Sequence, residues 1–382
     1  MYEYSSLSQC NARDSRPLMS KKESAWDGKY GTNNGRTGID VEQLATFETL
    51  RQLGNMHMMK RDFVRACSFF SEATRIHEES AGTMKLGSFE ILQVWAQLGK
   101  CQLSIGQTVD AMLCFQRVLS LYKNETTGGA AFSSKMTRAQ VVMGSVLYYI
   151  GVIHASSERS THRKREKALR SFSACLDLIR ISLGDDHPAV AHVLYNIAVL
   201  LKDEGQLDQA ANHLENSLCI LRQTHGPCHK KLVPSLLLMA SIYEQRGQGI
   251  QSLSVYQEVL WCLQSHTSPN EVDSSRGESR ISVEDVWIRM GGVQQTLGHL
   301  DSAMVSYERA VALLRRHGDA ELFSNTRHRR VSGILTDMGY IELDRANRSA
   351  ANAYFLAASS ISEGRSLPES DFNVAFSTAA AA

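Results

Sequence analysis

The stretch YNIAVLLKDEGQLDQAANHL, residues 195–214, contains two short amphipathic segments separated by a glycine. The apolar residues on both sides of the glycine keep the spacing of one helix face, and they are Ile197, Ala198, Leu201, Leu207, Ala210, Ala211 and Leu214. Gly205 suits the left-handed backbone conformation that ends one helix and lets another begin. The stretch therefore predicts two helices packed against each other, with small residues where they meet.

The same arrangement recurs seven times along the chain. In the first helix of each unit a large apolar residue precedes a small one, and these pairs are Leu53-Gly54, Leu98-Gly99, Ile150-Gly151, Ile197-Ala198, Met239-Ala240, Met290-Gly291 and Met338-Gly339. In the second helix a small residue is followed four positions later by a large one, and these pairs are Ala66/Phe70, Ala111/Phe115, Ala168/Phe172, Ala210/Leu214, Ser252/Tyr256, Ala303/Tyr307 and Ala351/Phe355. A helical pair of this kind cannot bury both of its faces alone, so we expect neighbouring pairs to stack.

These residues resemble the pattern of the tetratricopeptide repeat (TPR) family, W-x-x-L-G followed by A-x-x-x-F. Trp95-Ala96-Gln97-Leu98-Gly99 matches the first part of the pattern, and Trp287 fills the tryptophan position of the sixth unit. The resemblance implies an all-α fold, a TPR solenoid in which about seven helix-turn-helix repeats form a right-handed superhelix. We place the array at residues 41–364, between a disordered polar tail at 1–40 and a disordered tail at 365–382.

The linker LGDDHPAVA, residues 183–191, is similar to the kinesin light chain branch of the family, in which an H-P-x-V-A turn introduces each helical pair. Asp185, Asp186 or His187 can cap the start of the next helix, and Pro188 fits its first turn. The following linker, which begins at His225, is a degraded copy with its proline shifted.

The composition favours no anionic partner and no membrane. The chain has 41 Lys and Arg residues against 40 Asp and Glu residues, a formal charge of +1. Its apolar runs are too short to span a bilayer, and its first residues lack the apolar core of a signal peptide. The eight cysteines are dispersed and contain no C-x-x-C pair. We therefore predict a cytoplasmic protein, with nucleic acid an improbable partner and the oligomeric state undetermined.

The sequence contains no motif that carries catalysis. His77 begins an H-E-x-x sequence, but Ala81 stands where a zinc protease needs its second histidine. The glycine-containing stretches match neither a phosphate-binding loop nor a dinucleotide fingerprint. We predict no enzyme, no catalytic residues, no cofactor and no metal.

The resemblance implies instead that the first helices of the pairs line a concave groove that holds a partner peptide or helix. Side chains of these helices that lie off the core stripe are the candidate contacts, and they are Arg51, Asn55, Lys100, Tyr148, Tyr195, Asn196, Val199, Lys202 and Arg289. Asn196 could grip a peptide backbone with its amide, and Tyr148 and Tyr195 could anchor a partner with amphipathic rings. The expected function is that of a non-catalytic scaffold or adaptor that binds a protein or peptide, as in kinesin light chain.

An alternative function rests on the segment SSERSTHRKREK at residues 156–167, which we interpret as an expanded, basic turn in the third unit. The basic loop 159–167 could serve a nucleic-acid-associated factor. A solvated loop that leads into the next helix would have the same composition.

Overall fold

The structure is a computed structural model that describes residues 35–79, 88–127, 134–156, 161–265, 282–316 and 325–362. Within these ranges the chain forms fourteen α-helices, one short 3-10 turn at Lys230–Leu232 and no strand. The helices are α1 Gly35–Met59, α2 Phe63–Glu79, α3 Ser88–Ile105, α4 Thr108–Thr127, α5 Ser134–Ala155, α6 His162–Leu183, α7 Pro188–Asp203, α8 Leu207–His225, α9 Val233–Gln245, α10 Gly249–Gln264, α11 Val283–Thr296, α12 Leu300–Arg316, α13 Asn325–Asp344 and α14 Arg348–Ser362.

Six odd-numbered helices pack on the even-numbered helix that follows them, and in the remaining pair the Ser217 hydroxyl of α8 donates to the Ala191 carbonyl of α7 at 2.9 Å. These seven pairs are the seven predicted units, here called repeats 1 to 7. The predicted all-α repeat fold is thus confirmed. The first helix begins at Gly35, inside the segment assigned to the N-terminal tail, while residues 1–34 and 363–382 lie outside the described ranges. The boundaries of the two tails and the superhelical path stay predictions.

The chain divides into two compact units, one that ends at Ile220 and one that begins at Leu221. In the first unit, side chains of the stacked repeats 1 and 2 form a common core that includes Phe47, Phe70 and Leu98. In the second unit, α12, α13 and α14 bury a core around Tyr307, Met338 and Tyr354. Each unit therefore has a hydrophobic core built from neighbouring helical pairs.

In five repeats the small residue of the odd helix is a glycine, and an aromatic ring from the even helix lies directly on it. A Cβ atom built on Gly99 would lie 2.6 Å from Cε1 of Phe115, which no relaxed carbon contact allows. The same close approach occurs in four more repeats, where Gly54 meets Phe70, Gly151 meets Phe172, Gly291 meets Tyr307 and Gly339 meets Phe355. In these repeats the small residue of the odd helix and the large residue of the even helix, both marked by the sequence pattern, are thus in direct contact.

In the six repeats whose turn is described, one residue has a left-handed backbone, and it always lies seven residues after the small residue. Gly205 has a φ of 77°, as predicted, and Gly106, Gly247 and Gly298 also have positive φ. Repeats 1 and 7 have no glycine there, and Arg61 and Ala346 adopt φ values of 58° and 62° instead. The turn geometry therefore persists where the residue is not favoured for it.

The start of α7 follows the prediction for the H-P-x-V-A turn. Of the three candidate caps, His187 is the one in the capping position, and its Nδ1 accepts a hydrogen bond of 3.1 Å from the N–H of Ala189. Pro188 occupies the first helical position, where its missing N–H leaves no bond unmade. A neutral imidazole is required for this cap, because Nδ1 must keep its lone pair.

Candidate functional site

The candidate surface is formed by the exposed and half-buried side chains of the odd-numbered helices, and we call it the odd-helix face. Two positions relative to the small residue define its contacts with adjacent repeats. The side chain three positions before the small residue reaches towards the next repeat, as Arg51 reaches Gln93 of α3. The side chain two positions before it reaches towards the previous repeat, as Tyr149 of α5 stacks on Phe115 of α4.

In the first unit, four side chains of α3, α5 and α7 form a continuous series of contacts, here called the tyrosine cluster: Lys100, Tyr148, Tyr149 and Asn196. The Nζ atom of Lys100 lies 5.9 Å from the centre of the Tyr149 ring. The rings of Tyr148 and Tyr149 meet edge to face with their centres 5.5 Å apart. The amide of Asn196 donates a hydrogen bond of 3.2 Å to the hydroxyl of Tyr148. Three of the nine predicted contacts are therefore brought together, by way of Tyr149.

Tyr148 is not the exposed anchor that was expected. Its side chain is 2% exposed, and its ring packs 5.7 Å from the ring of Phe172. The reason is its position, since a side chain three residues before Gly151 is covered by α7 of the next repeat. Its hydroxyl positions Asn196, and the half-buried Tyr149 is the ring that this part of the surface presents.

The amide of Asn196 is used within the protein. Its Nδ2 atom donates to the carbonyl of His192 at 2.8 Å as well as to Tyr148. Both amide hydrogens therefore have acceptors, and the expected grip on a peptide backbone is reduced to the Oδ1 acceptor. The bond to Tyr148 fixes the relative position of α5 and α7.

Arg51 also has a partner inside the chain. Its guanidinium pairs with Glu48 on the preceding turn, with an N–O distance of 2.5 Å, and contacts Gln93 at 3.4 Å. The hydrogen bonds with Glu48 raise the pKa of Arg51, and burial opposes that rise. Arg51 thus connects α1 to α3, while Asn55 lies half-buried one turn further along α1.

The helix α7 carries the remaining predicted contacts of the first unit. Tyr195, Val199 and Lys202 are half-buried and follow each other at the spacing of one helix face. They are a polar ring, an aliphatic side chain and a cation in succession. This combination offers both apolar area and charge to a partner.

In the second unit, Arg289 of α11 is exposed, as predicted. It lies two positions before Gly291 and near the hydroxyl of Tyr256 from the previous repeat, where its charge lowers the pKa of that hydroxyl. Burial and a bond of 2.6 Å from Tyr256 to Glu244 have the opposite and larger effect, so the pKa of Tyr256 is raised.

Two side chains of repeat 7 lie at the equivalent positions of its odd helix but were not predicted. Asp337 lies two positions before Gly339, in the place of Arg289, and Tyr340 lies one position after it, in the place of Lys100. Tyr340 is 53% exposed, and its ring meets Phe355 edge to face at 5.3 Å. Both residues follow from the repeat register, since Gly339 is the small residue of the seventh unit.

The basic segment of the third unit differs from its interpretation as a loop. Residues 157–160 lie outside the described ranges, and α6 begins at His162, so the basic residues from there to Lys167 are helical. The guanidinium of Arg165 donates to the carbonyl of Asp203 at the end of α7, with an N–O distance of 3.3 Å. A cation at a helix C-terminus is stabilising. One of these basic side chains, Arg165, therefore holds repeat 3 against repeat 4.

In the described ranges no three His, Cys, Asp or Glu residues are arranged as metal ligands. None of the helices whose residues are described combines the length and the apolar composition needed to cross a bilayer.

Comparison with known proteins agrees with the repeat geometry. A family model described as Tetratricopeptide repeat matches residues 155–223, which include α6, α7 and most of α8. Protein KINESIN LIGHT CHAIN-RELATED 1 of Arabidopsis thaliana is 26% identical over 159 residues, which are 41% of this chain and 24% of that protein. The Clustered mitochondria protein homolog of Homo sapiens is 25% identical over 211 residues, which are 54% of this chain and 14% of that protein. The chain thus spans about a quarter or less of the length of these two curated relatives.

Solved structures share the fold at low sequence identity. BtubC (BKLC) from P. vanneervenii has a TM-score of 0.50 and 12% identity, covering 69% of this chain and 95% of that one. A signal transduction ATPase with a tetratricopeptide repeat sensor, from Pyrococcus horikoshii, has a TM-score of 0.59 and 9% identity, covering 86% of this chain and 43% of that one. The chain therefore has a tetratricopeptide-repeat fold and is similar to kinesin light chain-related proteins.

Proposed function

We propose that this protein is a non-catalytic interaction scaffold that binds a peptide or helical segment of a partner protein on the odd-helix face. In the arrangement that we propose, which is that of kinesin light chain, this face lies on the concave side of the array. The proposal locates the protein in the cytoplasm, in keeping with the composition and with that resemblance. The scaffold role requires shape and fixed contacts, and no reacting group.

The observation that carries the proposal is the tyrosine cluster. The Tyr149 ring is half-buried, stacked on Phe115 at a ring distance of 5.8 Å and faced by Lys100. A side chain fixed in this way loses little conformational freedom when a partner docks, so more of the contact energy appears as affinity. Tyrosine is also among the residues that most often dominate interface energies.

The side chains around this ring add distinct chemistry. Lys100 and Lys202 supply cations, Tyr195 and Val199 supply apolar area, and all four are half-buried on α3 or α7. A partner segment that carries an aromatic or aliphatic residue next to an acidic one would match this surface. That pairing gives charge complementarity at the rim and apolar contact at the centre.

The test is selection of peptides from a random display library against the full chain, followed by affinity measurements on the selected peptides. Tyr149→Ala should weaken a peptide bound in the first unit by about tenfold or more, as expected for a central aromatic contact. Lys202→Glu, which leaves the core untouched, should weaken the same peptide through charge. Ile181→Ala is the matched control, because Ile181 is 73% exposed on the even helix α6.

Circular dichroism of each variant would establish that the helices remain. The proposal fails if no peptide is selected by the intact chain. It also fails if Ile181→Ala weakens binding as much as Tyr149→Ala and Lys202→Glu do.

A further inference from the structure

The side chain of Asp337 on α13 is a half-buried carboxylate for which the described residues supply no ion pair. Other carboxylates of the last two repeats do have cations, since Asp285 pairs with Arg330 and Glu342 with Arg345. Burial raises the pKa of Asp337, and within the described residues no cation or hydrogen bond offsets the hydration that the carboxylate loses. A charge in such a place is stabilised by any cation that can reach it.

The neighbours of Asp337 leave room for such a cation. Burial raises the pKa of the Tyr307 hydroxyl, the charge of Asp337 adds to that rise, and the hydroxyl itself donates to Oε1 of Gln295 at 3.5 Å. On the facing helix α11 the residue above this hydroxyl is Gly292, where a Cβ atom would come within 3.8 Å of the hydroxyl oxygen. A glycine at this point keeps the space beside the Tyr307 hydroxyl clear of a side chain.

Asp337 also shares one face of α13 with Gly333 and Tyr340, four residues before it and three after it. A Cβ atom on Gly333 would meet nothing within 4 Å, so the helix is open on this side. The exposed ring of Tyr340 is held in place by Phe355. An aromatic face beside a carboxylate is a favourable environment for a guanidinium or an ammonium group.

We propose that Asp337 and Tyr340, with the open space at Gly333 and Gly292, bind an arginine or lysine side chain of the partner segment. The carboxylate forms the ion pair, and the Tyr340 ring covers the apolar stem and the edge of the charged group. Arg289, at the position in repeat 6 that corresponds to Asp337, has the opposite charge, so the basic residue is accepted at repeat 7 and rejected at repeat 6. This inference rests on the proposed function and adds to it the chemistry of one contact.

The test is peptide selection from a random display library against the full chain and two variants. The intact chain should select a group of peptides with arginine or lysine at one fixed position. Asp337→Lys should abolish that preference and favour aspartate or glutamate at the same position. Asp177→Lys is the matched control, because it makes the same charge change at an exposed position on the even helix α6. It should leave the preference unchanged.

A second measurement covers the possibility that Asp337→Lys disturbs the helix. Asp337→Asn and Tyr340→Leu should each lower the affinity for a selected basic peptide, the former by about tenfold. Both variants should leave the affinity for the same peptide with norleucine in place of the basic residue unchanged. This inference would be overturned if the selected peptides had no fixed arginine or lysine position. It would also be overturned if the preference for a basic residue persisted in both Asp337→Lys and Asp337→Asn. Either result would leave the scaffold proposal standing. If the intact chain selects no peptide, both proposals fail.

Discussion

The contact between Gly99 and Phe115 gives the sharpest stability prediction. In the variant Gly99→Ala, the new Cβ atom would lie 2.6, 2.9 and 3.0 Å from three carbon atoms of the Phe115 ring. The ring cannot move aside easily, because Phe115 is fully buried and Tyr149 stacks on it. Overpacking a well-filled site costs about 1–3 kcal/mol. Alanine in a helix is favoured over glycine by about 1 kcal/mol, so we expect a net loss of up to about 2 kcal/mol.

The matched control is Gly333→Ala, also a glycine inside an odd helix. A Cβ atom there meets nothing within 4 Å, so only the helix preference remains. The variant should be more stable than the wild type by about 0.5–1 kcal/mol. The two substitutions are chemically identical and should change the free energy of unfolding in opposite directions.

Urea unfolding of the full chain, followed by circular dichroism, measures both effects as shifts of the transition midpoint. The double variant Gly99→Ala/Phe115→Leu supplies a further check, because Ala198 and Leu214 occupy these two positions in repeat 4. The double variant should be more stable than the sum of the single effects predicts, by about 1 kcal/mol. Strict additivity, or a stabilising Gly99→Ala, would refute the inferred contact.

Two further predictions concern the turn and cap residues. Ala346→Gly should stabilise the chain by about 0.5–1 kcal/mol, measured by the same unfolding assay, because Ala346 has a φ of 62° and glycine adopts this conformation without strain; an unchanged or lower midpoint would contradict the turn geometry. Burial lowers the pKa of His187 below its ordinary value of 6.5, so the folded chain favours the neutral ring. The stability that His187 contributes is therefore present above pH 6.5 and is lost as the pH falls from 6.5 through the pKa of the folded state. His187→Asn keeps a capping acceptor without titration, so the drop in stability between about pH 7.5 and pH 5 should be smaller in the variant than in the wild type; equal drops would show that His187 does not contribute.

The sequence was sufficient to predict the seven helical pairs and their register. The reason is that in five repeats an aromatic ring of the even helix packs on a glycine of the odd helix. Repeats 4 and 5 keep the same register with alanine, so a large-small pair such as Leu98-Gly99 recurs in every repeat. The cap at His187 could be predicted because the geometry of a helix start requires a local acceptor followed by a tolerated proline. These features depend on residues close together in sequence or on one repeated contact.

The exposure of individual side chains could be predicted only in part. Tyr148 and Tyr149 are neighbours in sequence and both lie off the core stripe, yet only Tyr148 is covered by the next repeat. The difference arises because the two flanks of an odd helix face different neighbours, and helical periodicity alone does not say which flank is covered. Helical periodicity also did not predict that the polar groups of Arg51 and Asn196 form hydrogen bonds or ion pairs within the chain. The helical start of α6 was missed because a run of basic residues is equally compatible with a loop.

The central claim is that a partner segment docks on the odd-numbered helices. Photo-cross-linking tests it most directly, with a selected peptide that carries a benzophenone side chain and mass spectrometry to identify the modified residues of the full chain. The account predicts adducts on α3, α5 and α7, or on α11 and α13 for peptides that carry the basic residue. Adducts confined to the even-numbered helices would contradict it.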